Sequence, residues 1–412
     1  MGSLVSAQNV VESPFIIATI GEYRFGHCTD ISNLMKMKTS GKVTFPNFMQ
    51  SLRIVKINGA LNTYTLVMKY AITQYDDPNL LEKVFSSVSE TRKITLSYGD
   101  WNAPNYIYKE EEGIITKIQS QVDFESSSIT YTLSVVSTAL TLNAGSFSFP
   151  SRTAKPSDVL IELLTNESYG MTSVFTGMRG MTDVQLRELI AGDDKAVDLE
   201  SRENTSIVDY VGYLVNSMTS VTDAGGPIKD ANYFWAVYDD VENKYGGTYF
   251  KVVKVASKLN ISLTGDTFEV DIGYPSGNMV SSFSIESDST WSILYNYSES
   301  IQQPQYRYDI DNTGKLVSYE SPAITTSKKS GKTTELSKTW WTQATQFPIK
   351  ARLTIKGLLR PSLLMSYVRV NTYFYGKQHI SSGLYIITKQ EDLIDGSGYR
   401  TTLSLTRIET GG

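Results

Sequence analysis

The sequence predicts a mainly β protein with an α+β insert, and three stretches carry that expectation. In residues 351–408, apolar side chains take alternate positions in short runs: Leu353 and Ile355, Val368 and Val370, Leu384 and Ile386, Leu403 and Leu405. Gly, Pro, Asp or Ser breaks each run. Successive strand residues point to opposite faces, so this is the pattern of half-buried antiparallel strands joined by turns. A similar alternation occurs earlier, with Tyr64, Leu66, Met68 and Tyr70 in phase against Thr65, Val67 and Lys69. Between these regions, over about 150–220, Val159, Leu160, Leu163 and Leu164, then Val208, Val211, Leu214 and Val215, recur at helical spacing.

Taken in order, residues 1–13 read as an arm and Pro14–Ile20 as a first strand, ended by Gly21-Glu22. Strands over 43–47 and 51–58 follow, and Asn58-Gly59 turns the chain into a strand over 63–72. Asp77-Pro78 opens a helix, because Asp77 can cap it and Pro78 suits its first turn; Leu81, Val84, Phe85 and Val88 then recur at helical spacing. A helix over 80–88 is expected to cross the sheet. Strands over 94–98, 106–118 and 129–137 complete a barrel or sandwich spanning 14–142. The hairpin tip at 100–105 is rich in turn formers, and such tips serve as contact surfaces on a fixed sheet.

From Phe149 the pattern turns helical. Lys155-Pro156-Ser157-Asp158 starts one helix, Thr182 with Gln185 makes a capping box before Val184, Leu186 and Ile190, and Thr205 or Ser206 starts a third. Gly225-Gly226-Pro227 ends this part, and strands over 233–238 and 249–255 follow. Residues 302–345 are polar with a flexible loop over 327–334. The final strands turn at Gly376-Lys377, Ser382-Gly383 and Gly396-Ser397-Gly398, and a closed or nearly closed sheet is the expected outcome.

At 412 residues the chain exceeds what one core serves, so two to four domains of about 100–150 residues are expected. The expected division is a first barrel with one packed helix over 1–145, an α-rich α/β insert over 146–260, a strand-rich connecting segment over 261–345 and a second barrel over 346–412, completed by strands from 261–300. A hydrophobic fraction of 41% and a mean hydropathy of −0.20 are those of an ordinary soluble protein. No apolar run approaches the roughly 20 residues of a membrane span, and the N-terminal residues lack the basic and apolar regions of an export signal, so neither membrane insertion nor that export route is expected. Gly2 and Ser6 fit the short myristoylation pattern, which is loose enough to arise by chance. Cys28 is the single cysteine, which excludes an intramolecular disulfide. The net charge of −5 argues against general duplex binding, which needs clustered Lys and Arg, so no sequence-specific nucleic-acid partner is expected. With 26 Tyr against 15 Phe, the sheets have the composition of wet faces and interfaces.

Three pieces of sequence point to a family. Ala351-x-Leu353-x-Ile355-x-Gly357 leads through a long connection to Ser382-Gly383-x-Tyr385, and then to Tyr399-x-Thr401-x-Leu403-x-Leu405-x-Arg407. This order resembles the C-terminal barrel of phage tail baseplate hub proteins, and residues 45–100 add to the resemblance. Together the similar pieces cover roughly half the chain, and residues 268–297 also look like the strand-rich passage that precedes the last barrel in that family. The resemblance implies two tail-tube-like β-barrels with a central helix-containing domain, the 80–88 helix packing across the first barrel. It implies a virion protein, made in the host cytoplasm, that joins the tail tube to the central spike and closes the end of the tube. Its partners would be two further copies of itself, in a homotrimer whose six barrels meet a six-fold tube, together with the tail tube protein, the central spike protein and other baseplate proteins. Residues 106–118 and 368–375 would contact neighbours or the tube.

The residues that could carry chemistry point to none. His27 and His379 are the only histidines; His27 adjoins Cys28, and neighbours on a strand point to opposite faces, so they do not form a pair. No Cys or His spacing matches a zinc site. Asp309, Asp311, Gly314 and Glu320 fit positions of a calcium loop, but Thr313 departs from it and the flanks alternate like strands, which makes Asn312-Thr313-Gly314 a hairpin tip. Ser330-Gly331-Lys332-Thr333 lacks the leading glycine of a phosphate loop, since Thr326 stands there. The acidic clusters Asp76-Asp77, Glu110-Glu111-Glu112, Asp193-Asp194 and Asp239-Asp240 could hold a glycosidase pair, but each lies beside turns or element ends, where exposed charge is expected. No catalytic residue, cofactor or metal is therefore expected. Two other readings stand beside the hub: a carbohydrate-binding tail or surface protein using Trp101, Trp235, Trp291, Trp340 and Trp341, and a cell-wall hydrolase.

Overall fold

The computed structural model describes residues 2–4, 11–28, 43–45, 48–71, 84, 92–100, 108–143, 145–191, 194–218, 231–239, 246–256, 267–273, 280–287, 306–310, 316–320, 349–358, 363–379 and 381–410. Gly2–Ser3 (β1) finds its partner late in the chain. Pro14–Ile20 (β2), Tyr23–Cys28 (β3), Val43–Phe45 (β4), Met49–Ile57 (β5), Thr63–Ala71 (β6), Lys93–Asp100 (β7), Tyr108–Asp123 (β8) and Ser128–Ser137 (β9) form a sheet in the order β4-β3-β2-β7-β8-β9-β6-β5. Phe48 N donates to Gly26 O at 3.1 Å, which brings the start of β5 to β3 and curls the sheet on itself. Strand alternation sends Leu52 and Ile54, Tyr64, Leu66, Met68 and Tyr70, Ile94 and Leu96, and Leu133 and Val135 into one core. Val84 is helical and packs in that core, while the rest of the helix expected over 80–88 lies outside the described residues.

The insert starts with Phe147–Phe149 (β10), Arg152–Ala154 (β11), Pro156–Thr165 (α1), Met171–Val174 (α2) and Asp183–Leu189 (α3). It continues through Val197–Leu199 (β12), Arg202–Thr205 (β13), Ile207–Ser217 (α4), Ala231–Tyr238 (β14) and Tyr249–Ala256 (β15). Pro156 begins α1, where its missing N–H costs nothing, and the expected capping box forms at Thr182 and Gln185. Ser206 caps α4: its Oγ accepts from Asp209 N at 3.1 Å. Alternation on β14 then decides the packing. Tyr233, Trp235 and Val237 join the helices in one core, while Ala236 and Tyr238 face Leu364, Met365, Tyr367 and Ile386 from the end of the chain.

Thr267–Ile272 (β16), Val280–Ser287 (β17), the isolated hairpin Tyr306–Ile310 (β18) and Leu316–Glu320 (β19), Ile349–Lys356 (β20), Tyr367–Phe374 (β21), Lys377–Gln378 (β22), Gly383–Asp395 (β23) and Gly398–Thr410 (β24) complete the chain. Their main sheet runs β17-β20-β24-β23-β21-β16-β1 around Leu353, Ile355, Val368, Val370, Tyr385, Leu403 and Leu405. β1 pairs in parallel with β16, and Leu4 is fully buried in this second core. The start of the segment read as an arm is thus a strand, because a distant strand edge was open to it. On one edge of β23, Gly383 to Ile386 pair with β21 and Lys389 to Ile394 pair with β5, so one strand belongs to both curled sheets. The fold is mainly β with a helix-containing insert, as the alternation predicted.

Two of the motif pieces meet at one glycine. A Cβ on Gly357 would stand 2.1 Å from Cγ of Tyr399, and Gly357 N donates to Tyr399 O at 2.7 Å. Gly357→Ala is expected to lower stability by about 1–3 kcal/mol or more through overpacking, measured by denaturant unfolding. Truncating Tyr399 in the Gly357→Ala background should cost less than truncating it in the wild type.

Candidate functional site

The first curled sheet and the insert meet at a buried polar junction. Inward phase on β5 continues from Leu52 and Ile54 to Lys56, and inward phase on β8 includes Glu111, Gly113 and Ile115. The sheet order brings these positions together inside the first barrel. Lys56 Nζ donates to Glu111 Oε1 at 2.5 Å, Tyr98 OH donates to the same oxygen at 2.6 Å and Tyr64 OH donates to Oε2 at 2.7 Å. Lys56 is 2% exposed and Glu111 is fully buried. Asp239, just past β14, sits nearby: its Oδ1 accepts from Ser137 Oγ and its Oδ2 from Asn62 Nδ2, both at 2.7 Å. Asn62 Nδ2 also donates to Val237 O at 3.1 Å, and Gly59 N to Trp235 O at 2.8 Å, so the β5–β6 turn region is fastened to the insert.

A second cluster ties β23 and β24 to the chain that enters β21. Asp392 accepts from Thr401 Oγ1 at 2.6 Å and from Gln390 Nε2 at 2.9 Å. Gln390 Oε1 and Thr401 Oγ1 in turn accept from the backbone N–H groups of Leu363 and Leu358. Gln390, Asp392 and Thr401 are all fully buried. Satisfied networks of this kind fix a unique arrangement, because a half-satisfied one is costly in a low dielectric.

Burial pushes the Glu111 carboxyl up, but the Lys56 ammonium and the bonds from Lys56, Tyr98 and Tyr64 overcome it and hold the group below the usual carboxylate range. The same burial, with the Glu111 charge, pushes the Tyr64 and Tyr98 phenols well above theirs. Burial pushes Asp239 up to about 6 against its bonds from Ser137 and Asn62, with Glu111 raising it further and Lys56 opposing.

The acidic clusters are therefore not simply exposed charge. Glu111 and Asp239 are buried acceptors, and Asp194, 2% exposed, accepts from the first-turn N–H of Ser157 at 3.0 Å and so caps α1 from a distance. Position relative to turns suggested solvation, but inward strand phase decided burial. Asp76-Asp77, Asp193 and Asp240 lie outside the described residues, as does the lysine-rich 327–334 stretch. Asp309 and Glu320 fall on the paired strands β18 and β19. His379 Nδ1 lies 2.8 Å from Ser381 Oγ. Trp235 is 6% exposed and stacks on Phe250 at 5.3 Å, so it is a core residue; the other tryptophans lie outside the described residues. Among the described residues no group of His, Cys, Asp and Glu could hold a metal ion, and no helix is long and apolar enough to cross a membrane.

No protein-family model and no curated protein matches the chain. Among solved structures, the chain is similar to the tail protein from Neisseria meningitidis MC58, with 9% identity over 96% of this chain and 97% of that one and a TM-score of 0.46. It is similar to the 43 kDa tail protein of prophage MuSo2 from Shewanella oneidensis, with 11% identity over 96% and 99% of the two chains and a TM-score of 0.49. A third likeness, with 7% identity over 87% and 73% and a TM-score of 0.46, is to the E. coli c3393 protein, a type VI secretion component described as similar to T4 tail proteins gp27 and gp5.

Glu111→Gln removes the carboxylate that pairs with the buried Lys56 ammonium and is expected to cost about 3–5 kcal/mol in denaturant unfolding, whereas replacing Lys56 and Glu111 by Met together with Tyr64 and Tyr98 by Phe, which leaves none of the four polar partners unpaired, is expected to recover most of the loss. For Asp239, the folded carboxyl has the higher pKa, so the penalty is present above about pH 6 and shrinks as pH falls toward the unfolded value of 3.8. Asp239→Asn is expected to gain stability relative to wild type at pH 7.5 and to lose that advantage by pH 4.5, as read from paired unfolding curves.

Proposed function

We propose that this protein is a structural component of a phage tail, a baseplate hub whose copies form a ring joining the tail tube to the central spike. The observation that carries the reading is the shared strand: β21 and β5 occupy successive lengths of one edge of β23, so a single chain holds two curled sheets as one stiff unit. Such a unit suits symmetry adaptation, in which three copies present six similar sheets to a six-fold tube and three-fold symmetry to the spike. The hub-like motif pieces at 351–357, 382–385 and 399–407 fall on β20, β23 and β24 or directly beside them, the strands that make this join.

The subunits are proposed to meet through strand edges. β7 accompanies β8 as far as Ile114, and among the described residues no strand covers that edge of 116–123. The β8–β9 hairpin ends in exposed Val122 and Phe124, which are 45% and 89% exposed. An uncovered edge of this length is a template for pairing with another chain. β21, in contrast, has β16 on one edge and β23 then β22 on the other, so of the stretch 368–375 only the tip, with Phe374 and Tyr375 exposed, is offered to a neighbour. Assembly in the tail, with the tube and spike proteins as partners, is part of the same proposal.

Light scattering tests it. The expected mass is three times 45.9 kDa, and the surface change Val122→Lys with Phe124→Lys is expected to return a folded 45.9 kDa species whose melting temperature is lower than that of the wild type and no longer depends on protein concentration. A wild-type mass that stays at one chain length of material over a wide concentration range, with no binding to tail tube protein, counts against the hub.

A further inference from the structure

We propose that the side chains of Thr401 and Gln390 join in a self-formed ester cross-link, which ties β24 to β23 with the loss of one ammonia. Gln390 and Asp392 lie two residues apart on β23, so they share its inward face, and Thr401 is the direct cross-strand partner of Asp392. All three side chains are fully buried. One carboxylate holds both reacting groups: Thr401 Oγ1 donates to Asp392 Oδ1 at 2.6 Å, and Gln390 Nε2 donates to Asp392 Oδ2 at 2.9 Å. The second bond requires the Gln390 side chain to lean along β23 toward Asp392, and so toward the threonine opposite it. Its carbonyl oxygen, Oε1, accepts from Leu363 N at 2.9 Å.

These are the parts of an acyl transfer: a hydroxyl nucleophile bonded to a base, a carbonyl whose oxygen rests on a backbone donor, and a leaving nitrogen in contact with the same base. Leu358 N donates to Thr401 Oγ1 at 3.0 Å, which leaves the hydroxyl oxygen a second lone pair for attack. Thr401 Oγ1 adds to Cδ of Gln390 as its proton passes to Asp392, and the oxygen that gains charge keeps its bond from Leu363 N. The Cδ–Nε2 bond then breaks, Asp392 hands the proton to the nitrogen, and ammonia leaves. Asp392 ends as the carboxylate it began as, and nothing is oxidised or reduced. Burial keeps water from hydrolysing the ester once it has formed. The link sits in the strand pair that both curled sheets share, in a chain whose single Cys28 allows no internal disulfide. The inference is independent of the hub reading, since the reaction lies within one chain and needs no second copy.

The test is mass spectrometry of the full chain under denaturing conditions. The wild type is expected to be lighter than its sequence by one ammonia, and its digest to contain a branched peptide that joins Gln390 to Thr401. Alkaline hydroxylamine should separate the two arms of that isolated peptide, as it does for an ester and not for an amide. Thr401→Ser keeps a hydroxyl and should keep the cross-link. Thr401→Val, which removes the nucleophile, and Asp392→Asn, which removes the base, should each carry their full calculated mass. A wild-type chain of full calculated mass overturns the proposal, whether or not the variants fold. An ammonia loss that maps to another site, such as a succinimide at Asn58-Gly59, or one that persists in Thr401→Val, overturns it as well.

Discussion

The rest of the structure depends on the commitment of one edge of β23. Its first four residues, Gly383 to Ile386, hydrogen-bond to β21 and its later residues to β5, while β24 occupies the opposite edge along the whole length. A strand has only two edges, so the two curled sheets cannot rotate independently about β23 without breaking ladder bonds on one of them. The register shifts at Leu384/Tyr385 and Ile387/Lys389 let the hairpin bend as it passes from one sheet to the other. Its far end then plugs the first barrel, where Ile394 and Tyr399 join the core and the Tyr399 ring meets Tyr98 edge-on at 6.3 Å.

A shared strand fixes direction, but the polar junction fixes identity. Apolar packing tolerates many arrangements of similar volume, whereas Lys56, Glu111, Tyr64 and Tyr98 satisfy one another in only one registry of β5, β6, β7 and β8. Buried ion pairs contribute little net stability over apolar substitutes, so registry is a better account of why a charge pair occupies this barrel. The insert is held by the same logic. β14 divides its side chains between the helices and the second barrel, while Asn62, Ser137 and Asp239 close the seam with the first. The insert is therefore fastened to both curled sheets.

The buried carboxylates of Glu111, Asp239 and Asp392 accept internal hydrogen bonds, and Phe124 and Tyr375 are exposed at hairpin tips. Loops held on stiff sheets are where contacts concentrate.

By itself the sequence determined what short-range rules control. Two-residue alternation marked β5, β6, β9, β20, β21, β23 and β24; Pro156, the Thr182–Gln185 box and Ser206 marked the helix starts; and Asn58-Gly59 marked a turn. The buried charges were in part legible, since Lys56 continues the inward phase of Leu52 and Ile54, and Glu111 shares the phase of Ile115. Only the tertiary structure decided that they meet, because pairing across 55 residues depends on strand order, which alternation does not encode. The same limit hid the parallel pairing of Gly2–Ser3 with β16 and the division of β23 between two sheets. Local periodicity states which face of a strand is buried; which strand lies beside it is settled by the competition of all edges at once.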